Sequence, residues 1–234
     1  MTRAEYIADI LSLYDIADIL SKKNDAEVLR LRRKQSDGEM VLRSYAKPIP
    51  AYLLLKELRH PNIPEIYDVI HLDDGLVVLE EFIDGITVAD VLMSGNYSYR
   101  SACEIIRSVC AALTLLHSHD IIHRDIKPEN IVVTKDRRIK LLDFNASRLY
   151  CDEKSHDTVT LGTIGYAPPE QFGISQSDEK SDIYAVGVLL NVMLTGRHPS
   201  EKLADGKAAK IILKCTSIDP NSRFASAQKL IEAL

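Results

Sequence analysis

Glycine is absent before Gly38, and no Asp or Glu stands between Glu39 and Glu57. The first absence excludes a phosphate cradle of glycine backbone in the opening segment, and the second leaves an 18-residue step of chain without an anion. Cysteine is sparse: Cys103, Cys110, Cys151 and Cys215 form no Cys-x-x-Cys pair. Neither a zinc ribbon nor a disulfide framework is indicated, and a reducing, cytoplasmic setting is expected. No apolar run approaches the roughly 20 residues that span a bilayer, so neither a membrane contact nor a signal peptide is expected. Positive charge is not in excess either, since the net charge is −5. The only basic run, Arg30-Leu31-Arg32-Arg33-Lys34, reads as a solvated strand and turn edge, and nucleic acid is not an expected partner. What the chain does have is 46% hydrophobic residues in 234, enough for one domain or two small lobes.

No internal repeat or low-complexity linker divides it. The first third reads as strands over Tyr14–Leu20, Val28–Arg33 and Met40–Tyr45, with a helix over Ala51–Arg59 behind Pro48 and Pro50. His60-Pro61-Asn62-Ile63-Pro64 breaks that helix, and two more strands flank the turn Asp73-Asp74-Gly75. From Val88 onward helices dominate. Ile105, Ile106, Val109, Ala112, Leu113 and Leu116 recur at helical spacing within 100–119. Ser181–Thr195 is almost wholly apolar, as a helix at the centre of a lobe must be. Ile131-Val132-Val133 and Ile139-Lys140-Leu141-Leu142 bracket a polar turn and predict a hairpin.

Three short motifs carry chemistry. His123-Arg124-Asp125-Ile126-Lys127-Pro128-Glu129-Asn130 is followed by Asp143-Phe144-Asn145 and later by Pro168-Pro169-Glu170. A loop Asp accepts a hydroxyl proton, an Asn five residues on holds a metal, and a second Asp after a strand bridges that metal to a nucleotide. His117-Ser118-His119 with His123 lacks the carboxylate or thiol pattern of a metal cluster. In order and spacing these motifs resemble a eukaryotic-type serine/threonine protein kinase domain, bacterial-like, with a degenerate ATP-binding lobe. The resemblance runs from about Tyr14 to Leu234.

It implies an α+β bilobal fold: a small β-rich lobe with one helix (1–83), a hinge near Glu81–Gly85, and a larger, mainly helical lobe (84–234). Asp125 would orient the substrate hydroxyl and Lys127 would neutralise the moving phosphoryl group; a Lys at that position suits serine/threonine substrates. Asn130 and Asp143 would hold Mg²⁺. Val28, Val41, Arg43, Glu81, Ile83 and Val132 fall where the family contacts ATP. Arg124 would pair with a phosphate on Ser155, Thr158 or Thr160; Glu170 would pair with Arg223, and Asp182 would cap the catalytic-loop amides. The helix that helps dock substrates is expected to be largely missing between Gly196 and Ala208. The chain is expected to stop where such a domain ends, with a linker and further domains possible beyond.

The N-terminal third departs from the pattern. Where the family has its glycine-rich loop, this chain reads Leu20-Ser21-Lys22-Lys23-Asn24-Asp25-Ala26-Glu27-Val28, with only Val28 matching. Lys22 or Lys23 is a possible relocated cation. Met40-Val41-Leu42-Arg43 stands for Val-Ala-x-Lys, so Arg43, a planar fork, replaces a compact ammonium. The helix glutamate falls at Ala51; Glu57, roughly 240° round and about 9 Å along, is no substitute. No partner for Arg43 is evident. Asn145 replaces a glycine, where Asn tolerates a left-handed backbone. Which of Leu79 and Glu80 guards the back of the nucleotide pocket is open. Two readings follow: a serine/threonine kinase that binds ATP weakly, or a pseudokinase acting as a binding or scaffolding module for a signalling partner.

Overall fold

The structure, a computed structural model, describes residues 1–23, 25–150, 165–168 and 177–234. The chain divides into two compact units. One is Met1–Arg59 with Pro64–Ile83; the other is His60–Ile63 with Asp84–Leu234.

The first unit is an antiparallel five-stranded sheet in the order β1-β2-β3-β5-β4. Its strands are β1 (Tyr14–Lys23), β2 (Ala26–Arg33), β3 (Glu39–Tyr45), β4 (Ile66–Leu72) and β5 (Gly75–Glu81). Alternation sorts their side chains. Leu29, Leu31, Met40, Leu42, Val77 and Leu79 form a core cluster on one face. Over it lies α1 (Arg3–Leu13), through Tyr6, Ile7, Ile10 and Leu11. The sequence reading begins at Tyr14 and assigns no element to this stretch. Its sequence signal is a capping box: Thr2 accepts from the Glu5 amide while the Glu5 carboxylate takes the Thr2 amide.

The opposite face carries Val28, Arg30, Val41, Arg43, Val78 and Glu80, with Val28 opposite Arg43 and Val41 opposite Glu80. The helix α2 covers only Ala51–Leu55, shorter than the 51–59 expected. It buries Ala51, Tyr52 and Leu55, and the Tyr52 hydroxyl lies 3.3 Å from that of Tyr45. The chain turns after it, and the Arg59 guanidinium takes the carbonyls of Lys56 and Leu58.

The second unit is built on α4 (Tyr99–His117) and α5 (Glu179–Thr195). The nine buried residues of α4 follow the predicted stripe. The α5 helix is buried nearly all round, and Gly187 allows α6 (Gly206–Cys215) to pass so close that a Cβ there would stand 2.3 Å from that of Cys215. Gly196, at φ 69°, ends α5 in the left-handed conformation that glycine adopts without strain. The remaining helices are α3 (Val88–Ser94) and α7 (Ala227–Ala233). Two small sheets support the loops: β6 (Gly85–Thr87), β8 (Ile131–Thr134) and β9 (Ile139–Leu141) in the order β6-β8-β9, and β7 (Ile121–Ile122) with β10 (Arg148–Leu149). Residues 60–63 join this unit by hydrogen bonds. Asn62 accepts from the Leu141 amide (2.8 Å) and its Nδ2 donates to Ile139 (2.7 Å), while Lys140 Nζ donates to the Ile63 carbonyl (2.9 Å). Among the described residues no helix is long and apolar enough to cross a membrane.

Candidate active site

The loop between β7 and β8 is held from below by one buried carboxylate. Asp182, in the first turn of α5, accepts the His123 amide on Oδ2 (2.9 Å) and the Arg124 amide on Oδ1 (2.8 Å). His117 Nε2 meets the same Oδ2 at 2.8 Å. Burial alone would raise the Asp182 pKa; the bond from His117 and the donors around it outweigh burial and hold it below the ordinary carboxylate value. Two residues of the site take a left-handed backbone, Arg124 at φ 69° and Asp143 at φ 65°. Each stores strain of order 1–3 kcal/mol, and both turns redirect chain at the site.

His123 is fully buried and works by its ring. The Asp125 amide donates to Nδ1 (3.3 Å), so Nε2 carries the proton and donates to the Leu142 carbonyl at 3.1 Å. Burial pushes its pKa below the usual imidazole value despite the Asp182, Asp125 and Asp143 carboxylates nearby. It is therefore a neutral structural bridge, edge-on to Phe144 with ring centroids 5.0 Å apart.

Asp125, Lys127 and Asn130 converge. Lys127 Nζ lies 2.8 Å from Asp125 Oδ2. Asn130 Nδ2 donates to the same Oδ2 (2.9 Å) and to the Asp125 carbonyl (2.8 Å). That double donation orients the amide and leaves its Oδ1, an oxygen of the type a hard cation takes. Asp143 follows Leu142, whose amide donates to the Asn130 carbonyl at 2.8 Å. Among the described residues no group of three His, Cys, Asp or Glu could hold a metal. One amide and one carboxylate oxygen nonetheless fit Mg²⁺, which keeps waters and phosphate oxygens for its other positions.

On the sheet unit, Val28, Val41 and Arg43 share a face and are 9%, 5% and 8% exposed. Arg43 has the partner the sequence did not reveal: its Nε donates to Glu80 Oε1 at 2.7 Å, and Glu80 is 2% exposed. Leu79 belongs to the cluster on the other face, so Glu80 is the residue on Arg43's side. The Glu81 amide donates to the Glu65 carbonyl at 2.8 Å, Ile83 is half-buried, and Val132 is buried in β8. Lys22 is bonded across the β1–β2 hairpin to Glu27 at 2.8 Å, an exposed pair.

A family model for the protein kinase domain matches residues 33–233. The chain belongs to the protein kinase domain family. It is 33% identical over 220 residues to the serine/threonine-protein kinase PknB of Mycolicibacterium smegmatis, an alignment covering 85% of this chain and 34% of that protein. To the serine/threonine-protein kinase PrkC of Bacillus subtilis it is 33% identical over 198 residues, covering 74% and 31%. To a probable serine/threonine-protein kinase PknB of Lactococcus lactis it is 36% identical over 147 residues, covering 62% and 23%. The chain thus spans about a third or less of the length of these relatives.

Other positions in this kinase domain fare differently. Arg223 is 4% exposed, and its guanidinium is held by carbonyls: Nε to Ser217 (2.8 Å) and Nη1 to Lys180 (2.9 Å), with the Tyr184 ring 5.0 Å away. Its expected partner Glu170, with Ser155, Thr158 and Thr160, lies outside the described residues. Asn145 needs no left-handed tolerance, because the positive φ falls on Asp143 instead. Sequence reasoning named His117 and Glu80 but missed their bonds to Asp182 and Arg43. Helical spacing could have offered His117, seven residues from Cys110 on the buried stripe; Glu80 needed the β3–β5 register.

Proposed function

We propose that this kinase domain transfers the γ-phosphoryl group of Mg-ATP to serine or threonine hydroxyls of a protein substrate. The observation that carries this reading is the cluster in which one carboxylate oxygen, Asp125 Oδ2, meets both Lys127 and Asn130. With Lys127 and Asn130 bonded to Oδ2, the carboxylate is fixed in plane, and Asp125 accepts the proton that the substrate hydroxyl sheds as it attacks in line. Lys127 then swings its ammonium from Asp125 to the charge that builds on the transferring group. Asn130 and Asp143 would hold Mg²⁺, whose charge would offset that of the phosphates. Asp182 keeps the loop in register beneath them. By the family resemblance, Val28, Val41, Glu81, Ile83 and Val132 would contact the nucleotide and Arg43 its phosphates.

The domain organisation implied is a nucleotide-binding lobe ending at residue 83 and a catalytic lobe from 84 onward. Regulation would enter through Arg124, whose charge would pair with a phosphate on Ser155, Thr158 or Thr160. Glu170, by the family resemblance, would pair with the buried Arg223 in a structural role. Cys103, Cys110 and Cys215 are free and buried, which suits a reducing, cytoplasmic compartment. The net charge of −5 does not favour nucleic acid as a partner. The pseudokinase reading is not favoured, because Arg43 has a carboxylate partner in Glu80 and Asp125, Lys127 and Asn130 form one cluster.

The test is phosphate incorporation from labelled Mg-ATP by the wild-type domain beside Asp125→Ala. Loss of the base should lower incorporation by about 10²-fold or more. Equal incorporation by the two proteins would remove Asp125 from the chemistry, and no incorporation by either would return the domain to the scaffold reading.

A further inference from the structure

We infer that Glu80, a strand residue, is the positioning carboxylate for the phosphate-facing cation Arg43, so that the cation is set within the sheet and independently of helix α2. The inference rests on the phosphoryl-transfer reading above and adds to it a residue and a mode of control.

In the family pattern a strand lysine is paired by a glutamate on the neighbouring helix, and helix position thereby governs activity. Here that helix offers no carboxylate. Ala51 occupies the position, is fully buried, and has only a methyl group to contribute. Glu57, the nearest acid along the chain, is exposed in the turn after α2. The strand registry supplies the replacement. Val41 is opposite Glu80 and Arg43 opposite Val78, which makes Arg43 and Glu80 diagonal neighbours on one face of adjacent antiparallel strands. That diagonal is about 7–8 Å between backbones, a span long side chains close. They do close it, at 2.7 Å, with side chains only 10% and 3% exposed.

The change from ammonium to guanidinium then has a physical purpose. A carboxylate bound at Nε fixes the plane of an Arg fork, and the η nitrogens are aimed by that plane. A Lys ammonium rotates about its stem and gains no such direction from a single partner. With Arg at 43, Glu at 80 and Ala at 51, the cation's carboxylate partner is on the sheet and not on the helix. Since both ends of the pair are on hydrogen-bonded strands, displacing α2 leaves the cation in place.

The test compares the wild-type domain with Glu80→Gln, and with Glu57→Gln as a control, by calorimetric titration with Mg-ATP and, separately, with adenosine. Glu80→Gln should weaken Mg-ATP about tenfold, the size of one lost charged hydrogen bond, and leave adenosine unchanged because adenosine carries no phosphate. Glu57→Gln should change neither. If Glu80→Gln does not fold, Glu80→Asp, which keeps the charge on a shorter stem, should show the same selective loss. Equal losses for the two ligands would make Glu80 merely structural, and unchanged or tighter Mg-ATP would make it a brake on Arg43; either overturns the inference. If wild-type protein binds Mg-ATP no better than adenosine, Arg43 meets no phosphate and the inference fails, while phosphate incorporation against Asp125→Ala still decides the transfer reading.

Discussion

Asp182 concentrates three hydrogen bonds on one carboxylate that water does not reach, and their donors are a ring nitrogen and two consecutive loop amides. Asp182→Asn keeps the shape but turns an amine toward a donor, leaving buried groups unsatisfied. We expect a loss of about 3 kcal/mol in urea unfolding and a fall in phosphate incorporation, since Asp125 is carried on the same loop. His123 gives a pH signature. Its folded pKa lies below the ordinary value, so between the two the unfolded chain binds more protons. Its contribution is whole above about pH 6.5 and is lost as pH falls toward the folded value, by at most about 1.4 kcal/mol per pH unit. Unfolding free energies at pH 7.5 and 5.5 should therefore differ more in wild type than in His123→Gln. His60, which burial also lowers, is common to both proteins and cancels. Ala51 offers a third residue-scale check. Installing the family's glutamate there places a carboxylate in a fully buried position when Arg43 already has Glu80. Ala51→Glu should destabilise by about 3 kcal/mol or more and not raise activity, read by urea midpoint and by incorporation.

At the scale of elements, legibility followed how local the determining contact was. The convergence of Asp125, Lys127 and Asn130 could be read because these residues lie within six positions of one another; Asn130 does bond Asp125, five residues before it. The stripe on α4 and the all-round burial of α5 were likewise written in periodicity. Alternation placed Val41 and Arg43 on one face, and the sheet keeps them there. The partner Glu80 was out of reach, since it depends on the pairing of β3 with β5 across more than thirty residues of chain. Helix α2 was overextended because its leucines suggest a longer stretch, yet Leu53 and Leu54 face solvent. The omission of α1 had a different origin. Its capping box is present in the sequence, but its apolar face makes sense only once a sheet face is left to cover. That makes α1 a structural part of this unit. Ile7→Ala with Ile10→Ala should destabilise it by about 1–2 kcal/mol per residue, less than a core truncation because both are only partly buried. Hydrogen exchange of the β2 and β3 amides would report it, and unaltered protection would mean that the helix rests on the sheet without supporting it.

Across the whole molecule, the assignment of residues 60–63 decides which unit feels a given change. This segment lies in sequence between α2 and β4, two elements of the sheet unit, yet its hydrogen bonds are to β9. Asn62 supplies two of them, one from its backbone carbonyl and one from its side chain. Asn62→Ala deletes only the second and leaves the Ile139 carbonyl without that donor. A single neutral hydrogen bond of this kind contributes about 1 kcal/mol. If the segment is part of the second unit in energy as well as in contacts, that loss should appear as faster exchange at β8 and β9 amides, with β3 and β5 amides unchanged. Sequence position predicts the opposite, because strands of the sheet unit flank residue 62 on both sides. Exchange measured amide by amide on the Asn62→Ala domain separates the two, and slowing or quickening confined to β3 and β5 would return the segment to the sheet unit.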